Sequence, residues 1–298
     1  MKVAIVGGFK YHLECTAFIC ELFPTNVVIN LYYHEEYFGY VSYFQQLYPN
    51  LHVHTTFTTS DIMSNNIVIK LTSNDPILED ERVISILHVL SFQERSSRYI
   101  ALSPFILPPF VIPYEFKNDI NTQIKYIFPI YRGIRCDTHR QIITYVGQFQ
   151  PDYLDDDLHL MITSLPEYEF YFISHGIDRR LFGAHSNVRC FPECGATELV
   201  ELVSMSKYIL HRHIRVSNFD RFSGALSIAV SHRKPLILSS YFAEVYGLPA
   251  ITYDYMFCET VGKIREVDYE AELDKLDVFI QNQSVKNKAV FEELIGLP

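Results

Sequence analysis

The chain has 298 residues, 48% hydrophobic and 20% charged, which is typical of a globular protein large enough for two ordinary domains. Its 25 basic and 35 acidic residues give a net charge of −10, which argues against a nucleic-acid partner because such a surface repels phosphate groups. No apolar run reaches the roughly 18 residues that span a bilayer, and the first apolar run is too short for a signal peptide. We therefore expect a cytoplasmic protein without a transmembrane segment.

Short apolar runs rich in β-branched residues recur in the first half of the chain and predict buried strands of a parallel sheet. These runs are residues 3–6, 27–32, 52–57, 67–71, 83–89 and 99–102. A helix is predicted over residues 11–23, where Leu13, Ala17 and Cys20 share one stripe. Strand, glycine turn, helix and strand in this order predict a doubly wound α/β domain over residues 1–135.

The regular pattern is interrupted after this domain. Residues 102–117 contain four prolines and are not expected to form a regular element. Residues 118–140 show no clear period, so they are predicted to form the irregular crossing between two domains.

The pattern then restarts and predicts a second doubly wound domain over residues 136–268. Its strands are predicted at residues 143–149, 168–176, 188–191, 207–213, 235–240 and 250–253, and its helices at 151–165, 196–205 and 223–232. Residues 269–298 are predicted to form a helical tail that packs back on the first domain. The expected fold is α/β, with two Rossmann-like domains facing each other across a cleft, where ligands bind at the carboxyl ends of the strands.

Two stretches carry a family resemblance that covers most of the chain. ITYVGQF, followed by a helix and YEFYFISHG, resembles the start of the nucleotide-sugar-binding domain of GT-B glycosyltransferases. SKYILHRHIRVSNFDRFSGALSIAVSHRKPLILSS resembles the later core of that domain. Similar small enzymes are encoded by large DNA viruses of algae, the chloroviruses. The resemblance implies metal-independent transfer of a hexosyl or pentosyl group from a UDP- or GDP-linked donor to a hydroxyl acceptor such as a glycan, without a further cofactor.

One departure from the family pattern concerns the mechanism. Many retaining GT-B enzymes carry two glutamates in this region, whereas this chain has Asp220 near the first position and Ser227 near the second. A retaining mechanism is therefore not predicted. Asp220 remains a candidate catalytic acid, and Ser227 a candidate donor contact.

The beginning of the helix predicted over residues 223–232 is a candidate diphosphate site. Its first residues, Ser223, Gly224 and Ala225, leave the N–H groups unobstructed, and the helix dipole favours an anion there. A basic cluster lies just upstream and consists of Arg212, His213, Arg215 and Arg221. The alternative is an ordinary capped helix with these side chains in solvent.

Further donor contacts are expected where other strands end. The turn at Gly147, Gln148 and Phe149 approaches the donor phosphates in the family that the chain resembles, although a glycine here also fits a plain turn. The remaining candidates are Gly8, His88, His175 and Glu193, of which Glu193 also fits an ordinary surface loop.

Asp155 and Asp157 match the DxD motif that binds a metal ion in a different glycosyltransferase fold. Here both lie in the first turns of a predicted helix, where acidic side chains are stabilised by the helix dipole. We therefore predict no metal site.

His12 follows the Gly7-Gly8 turn, at the predicted start of a helix that faces the cleft. A helix N-terminus disfavours imidazolium, so a neutral ring there accepts a proton. The resemblance implies that His12 is the general base of an inverting transfer, with Glu14 as the second candidate. A helix-capping or core histidine is the alternative.

Two other functions fit the same architecture. A sugar-nucleotide epimerase also works in an interdomain cleft, and a two-lobed binding protein has two α/β domains without catalysis. An assay of donor conversion without acceptor separates transferase from epimerase.

Overall fold

The computed structural model describes residues 1–7, 15–34, 39–71, 80–87, 98–102, 123–134, 136, 139–149, 154–183, 185–212 and 223–296. These residues form two compact units. The first unit contains the residues up to Arg132 and those from Gln283 onward, and the second contains those between Gly133 and Asn282. Within the described ranges no helix is both long and apolar enough to cross a bilayer.

The first unit is built on a seven-stranded parallel sheet. Its strands are β1 (Lys2–Gly7), β2 (Val28–Tyr33), β3 (Leu51–His54), β4 (Ile67–Lys70), β5 (Val83–Leu87), β6 (Arg98–Ala101) and β7 (Gln123–Tyr126), and its helices are α1 (Cys15–Leu22), α2 (Tyr40–Leu47) and α3 (Thr59–Met63). The strand order is β3-β2-β1-β4-β5-β6-β7. Val3, Ala4 and Ile5 are fully buried, as expected for a central parallel strand.

Strand β7 corrects the sequence interpretation, because it lies within the residues that were assigned to an irregular crossing. Among the described strands its partner is β6, at the edge of the sheet, and two of its four side chains are polar. One of them, Lys125, donates to Glu293 at 2.6 Å. Four residues that alternate between polar and apolar side chains, beside a proline-rich stretch, form too short a pattern to indicate a strand.

The end of β3 is a second correction, because the strand was predicted to continue to residue 57. Thr58 instead caps α3: its hydroxyl accepts from Asp61 N at 3.3 Å, and the Asp61 carboxylate accepts from Thr58 N at 2.7 Å. This reciprocal capping box begins helix α3, and the strand ends before it instead of continuing to residue 57. The Thr-x-x-Asp spacing is the sequence signal for this helix start.

The second unit is built on a six-stranded parallel sheet. Its strands are β8 (Ile142–Val146), β9 (Glu169–Ile173), β10 (Val188–Phe191), β11 (Tyr208–Leu210), β12 (Leu236–Ser239) and β13 (Ala250–Tyr253), and its helices are α4 (Asp156–Ser164), α5 (Ala196–Met205), α6 (Gly224–Ser231), α7 (Ser240–Tyr246), α8 (Thr260–Glu266) and α9 (Tyr269–Ile295). Short 3-10 turns lie at Arg179–Phe182 and Phe257–Glu259. The strand order is β10-β9-β8-β11-β12-β13, so the expected α/β class with two Rossmann-like parallel sheets is confirmed.

Helix α9 has 27 residues and contributes to both units. In the second unit, Asp277 on this helix accepts two hydrogen bonds from the Arg233 guanidinium, at 2.8 and 2.6 Å. In the first unit, Asn287 donates to the carbonyl of Phe128 at 2.6 Å. Polar contacts therefore fix each part of the helix to its own unit.

Gly133 gives a test of packing in the second unit. A Cβ atom added there would lie 2.1 Å from the Ser231 carbonyl oxygen, so Gly133→Ala is expected to destabilise the protein by about 1–3 kcal/mol. Gly262, inside α8, is the matched control, because a Cβ atom there meets nothing within 4 Å. Gly262→Ala should leave stability unchanged or raise it by up to ~1 kcal/mol. Equal urea unfolding midpoints for the two variants would contradict this packing.

Candidate functional site

The carboxyl ends of the strands in the second sheet gather the described candidate residues at one edge. Parallel strands end at the same edge, so the residues that follow β8, β9, β10 and β11 lie along it. The chain order of the strands reverses between β8 and β11. In open α/β sheets a ligand crevice lies at such a reversal.

The turn after β8 is fixed by backbone and side-chain hydrogen bonds. Gly147 has a positive φ of 130°, which favours glycine. Its N–H donates to the Ile173 carbonyl at 3.1 Å, and the Tyr145 hydroxyl donates to the Gln148 carbonyl at 2.8 Å. Gly147 and Gln148 are nevertheless exposed, so the turn presents them to solvent in a defined position.

Phe149, the third candidate of this turn, is half-buried and belongs partly to the core. Its ring contacts those of Phe172 and Phe182, with centroids 5.4 and 5.6 Å away. Its N–H donates to the Ser174 hydroxyl at 2.8 Å. Ser174, which sequence reasoning did not select, therefore ties the ends of β8 and β9 together; its place between a strand and a His-Gly turn was the available signal.

The ends of β9 and β10 are also joined through the backbone. Ser174 N donates to the Phe191 carbonyl at 3.3 Å, and Gly176 N donates to the Pro192 carbonyl at 3.2 Å. His175 lies between Ser174 and Gly176, Glu193 follows Pro192, and both candidates are exposed. They are thus brought to neighbouring loops of the same edge.

Arg212 follows β11 and is held firmly. Its Nη1 donates to Asp155 Oδ1 at 3.2 Å, and its Nη2 donates to Asp155 Oδ2. The guanidinium carbon lies 4.8 Å from the centroid of the Phe257 ring, and only 13% of the side chain is exposed. Arg212 is therefore a positioned cation at the edge rather than a side chain in solvent.

Asp155 and Asp157 both serve the local framework. Asp155 caps α4 by accepting from Leu158 N at 3.0 Å. Burial tends to raise the pKa of Asp155, but the hydrogen bonds from Arg212 and Leu158 outweigh it and lower that pKa. Asp157 accepts from Phe257 N and Cys258 N at 2.6 and 3.1 Å. Among the residues that the structure describes, no group of three metal-ligating side chains is arranged to hold an ion.

The N-terminus of α6 carries the remaining described candidates. The N-cap residue, Ser223, makes no side-chain capping hydrogen bond, and the first turn contains no acidic residue. Gly224 is half-buried, whereas Ala225 and Ser227 are buried. The first N–H groups of a helix lack intrahelical partners, so this terminus is suited to an anion.

Eight predicted site residues lie outside the part of the chain that the structure describes and stay predictions: Gly8, His12, Glu14, His88, His213, Arg215, Asp220 and Arg221.

Comparison with solved structures identifies the fold. The chain is similar over 100% of its length to AviGT4, a glycosyltransferase involved in avilamycin A biosynthesis, with 99% of that chain covered, 11% identity and a TM-score of 0.65. HepE of Anabaena, in complex with UDP and glucose, matches with full coverage of both chains, 11% identity and a TM-score of 0.65. A DNA-modifying β-glucosyltransferase, solved with and without uridine diphosphoglucose, matches with full coverage of both chains, 10% identity and a TM-score of 0.56. The expected GT-B-like fold is thus confirmed.

No protein-family model and no curated protein sequence matches this chain.

The framework role of Asp157 gives a test against metal binding. Asp157→Ala leaves the N–H groups of Phe257 and Cys258 without their acceptor, so it should cost about 1–3 kcal/mol of stability. Asp156, the exposed neighbour on α4, is the matched control, and its replacement by Ala should change stability by less than ~0.5 kcal/mol. Thermal unfolding with and without Mn²⁺ measures both effects. Equal stability of the two variants, or a wild-type protein stabilised by Mn²⁺ through Asp157, would overturn the assignment.

Proposed function

We propose that this protein transfers a sugar from a UDP- or GDP-linked donor to a hydroxyl group of an acceptor such as a glycan. One observation carries the proposal: the described donor candidates lie along a single edge of the second sheet, where the strand order reverses. The fold supports it, because HepE was solved with UDP and glucose and the β-glucosyltransferase with its uridine diphosphoglucose substrate. AviGT4 and the β-glucosyltransferase are glycosyltransferases, and HepE was solved with UDP, the nucleotide of UDP-linked donors.

The departing diphosphate is proposed to be stabilised by the protein without a metal ion. The N-terminus of α6 supplies N–H groups and a positive dipole end, and Arg212 supplies a fixed guanidinium. Preorganised donors of this kind stabilise developing negative charge without reorganising during the reaction. The carboxylates of Asp155 and Asp157, which would be needed for a metal site, already hold Arg212 and two backbone N–H groups.

His12 is proposed as the general base on the grounds of the sequence and the family resemblance. A base removes the proton from the acceptor hydroxyl, whose oxygen then bonds to the anomeric carbon while the bond to the diphosphate breaks. The new bond forms on the face opposite the leaving group, so the configuration inverts. Glu14 is the second candidate for this role.

The nature of the acceptor follows from charge. A protein with a net charge of −10 repels a DNA backbone, so we expect a glycan or another uncharged hydroxyl compound rather than DNA. This expectation separates the chain from the DNA-modifying enzyme whose fold it shares. An epimerase would convert the donor without any acceptor, and a binding protein would convert nothing.

The proposed diphosphate contact is tested by Arg212→Ala. Loss of a charge-assisted hydrogen bond should weaken UDP or GDP binding by about 1–3 kcal/mol while leaving affinity for the matching nucleoside unchanged. Calorimetric titration with nucleotide and nucleoside measures both. Asp155→Asn is the matched control, because it removes the ion pair and keeps the guanidinium, so its loss of nucleotide affinity should be smaller. Equal losses for nucleotide and nucleoside in Arg212→Ala would indicate a distorted site instead of a lost contact.

The proposed base is tested by His12→Ala. Turnover should fall roughly 10²–10⁴-fold, the usual contribution of a general base, with donor affinity nearly unchanged. The wild-type product, followed by NMR, should have the anomeric configuration opposite to that of the donor. Near-normal turnover of the variant would remove His12 from the mechanism, and a retained anomer would direct attention to Asp220.

A further inference from the structure

Two exposed tyrosines follow the ends of neighbouring strands at the carboxyl edge of the second sheet. β12 and β13 are paired in register up to their last residues. At the next position of each chain segment, the Ser240 hydroxyl donates to the Asp254 carboxylate, so the two segments stay joined beyond the sheet. Tyr241 and Tyr255 come directly after these residues, and they are 47% and 91% exposed. Together with Met256, which is 45% exposed, they form the tyrosine patch.

The backbone that presents Tyr255 is held in one arrangement. The Glu259 carboxylate accepts from the N–H groups of residues 254, 255 and 256 at 2.9, 3.2 and 3.1 Å. The Asp157 carboxylate accepts from the next two N–H groups at 2.6 and 3.1 Å. A ligand that binds a preordered segment does not have to order it, so less of the interaction energy is lost. The Tyr255 ring is therefore presented from a defined backbone position.

The same segment also supports the candidate donor site. Phe257, two residues after Tyr255, is 1% exposed, and its ring centroid lies 4.8 Å from the guanidinium carbon of Arg212. β12 separates β13 from β11 in the sheet, and neighbouring strands are about 4.8 Å apart, so the ends of β13 and β11 are about 10 Å apart. The tyrosine patch therefore lies beside the proposed diphosphate contact and not within it.

Acidic side chains border the tyrosine patch. Asp254 and Glu259 are exposed in the segment after β13, and Glu244 is exposed on α7. Hydrogen bonds from the backbone lower the pKa of Glu259, so its carboxylate is ionised at pH 7. The nearby Lys263 is engaged by the Thr252 carbonyl, to which its ammonium group donates at 2.5 Å. Three carboxylates beside one cation repel phosphate, so the patch favours an uncharged ligand.

A sugar ring matches this combination of groups. The C–H groups on one face of a pyranose carry a small positive charge and pack against the negative face of an aromatic ring. Its hydroxyl groups donate to carboxylates and tyrosine hydroxyls of the kind that border the patch. Because the Tyr255 ring is almost wholly exposed, it suits an extended chain that arrives from solvent better than a donor sugar enclosed in a crevice.

We propose that Tyr241 and Tyr255 form a stacking platform for an uncharged glycan, which brings the acceptor of the proposed transfer next to the donor site. The acceptor role rests on the proposed transferase function, whereas binding of a glycan to the two tyrosines does not. The platform belongs wholly to the second unit, as do the strands that carry it.

Oligosaccharides of neutral sugars are the probes: maltohexaose, cellopentaose, xylopentaose and chitopentaose. Saturation-transfer NMR of the wild-type protein should detect binding of at least one of them, and titration gives its affinity. Tyr255→Ala should weaken that binding about three- to tenfold, the effect of losing one aromatic contact, whereas Tyr255→Phe, which keeps the ring, should bind within about twofold of the wild type. Leu160→Ala, at a 49% exposed leucine of α4, is the matched control and should bind as the wild type does.

Nucleotide binding separates this proposal from the proposed function. The affinity for UDP or GDP should be the same in the wild type and in Tyr255→Ala, because the ring lies outside the proposed diphosphate contact. If neither nucleotide binds the wild type but an oligosaccharide binds through Tyr255, the platform stands and the transferase proposal falls.

Four results would overturn the platform. The first two are no binding of any of the four oligosaccharides, and an oligosaccharide affinity that Tyr255→Ala leaves unchanged. The third is an equal loss of nucleotide and oligosaccharide affinity in Tyr255→Ala, which would make Tyr255 a donor contact. The fourth is a change from oligomer to monomer in Tyr255→Ala, measured by sedimentation, which would make the tyrosine patch an interface between copies of the chain.

Discussion

The pairing of β8 with β11 decides where the second unit can bind a ligand. Only three residue pairs form it, from Tyr208 with Ile143 to Leu210 with Tyr145, and a buried hydrogen bond of 2.6 Å between the hydroxyls of Thr144 and Ser206 supports it. β9 and β10 extend the sheet on one side of β8. The chain then crosses back, and β11 pairs with the other side of β8, so the later strands extend the sheet in the opposite direction. The crevice of a doubly wound sheet opens at such a reversal, and the turn after β8 and the residues after β11 border it.

Around this crevice, acidic side chains hold the protein framework. Asp155 binds Arg212, and Asp157 binds the N–H groups of residues 257 and 258. Glu259 accepts from the next three N–H groups toward the N-terminus, those of residues 254–256. Two carboxylates thus satisfy five consecutive N–H groups, which orders the loop whose Phe257 ring packs on Arg212. At this edge Asp155 holds Arg212 in place, while Asp157 and Glu259 accept from backbone N–H groups.

Local sequence located every described strand except β7, and β10, α5 and β13 have the predicted bounds. β10 and β13 are edge strands of their sheet, but each is a short run rich in apolar residues, which local sequence reveals without knowledge of partners. β7 was missed because its four residues alternate between polar and apolar beside a proline-rich stretch, and α3 was missed because the capping box was not recognised. The same distinction applies to the candidate site. Its glycine turns and the start of α6 are local features that the sequence predicts, whereas the pairing of Arg212 with Asp155 joins residues 57 positions apart. Such contacts depend on strand order, which local patterns do not contain.

Hydrogen–deuterium exchange with UDP and with GDP tests most directly the central claim that the carboxyl edge of the second sheet holds the donor nucleotide. With the correct nucleotide, peptides that contain the Gly147–Phe149 turn, Arg212 and the start of α6 should become protected. Peptides at the amino-terminal edge, such as the one containing His139, should not change. No protection with either nucleotide, or protection confined to the first unit, would contradict the account.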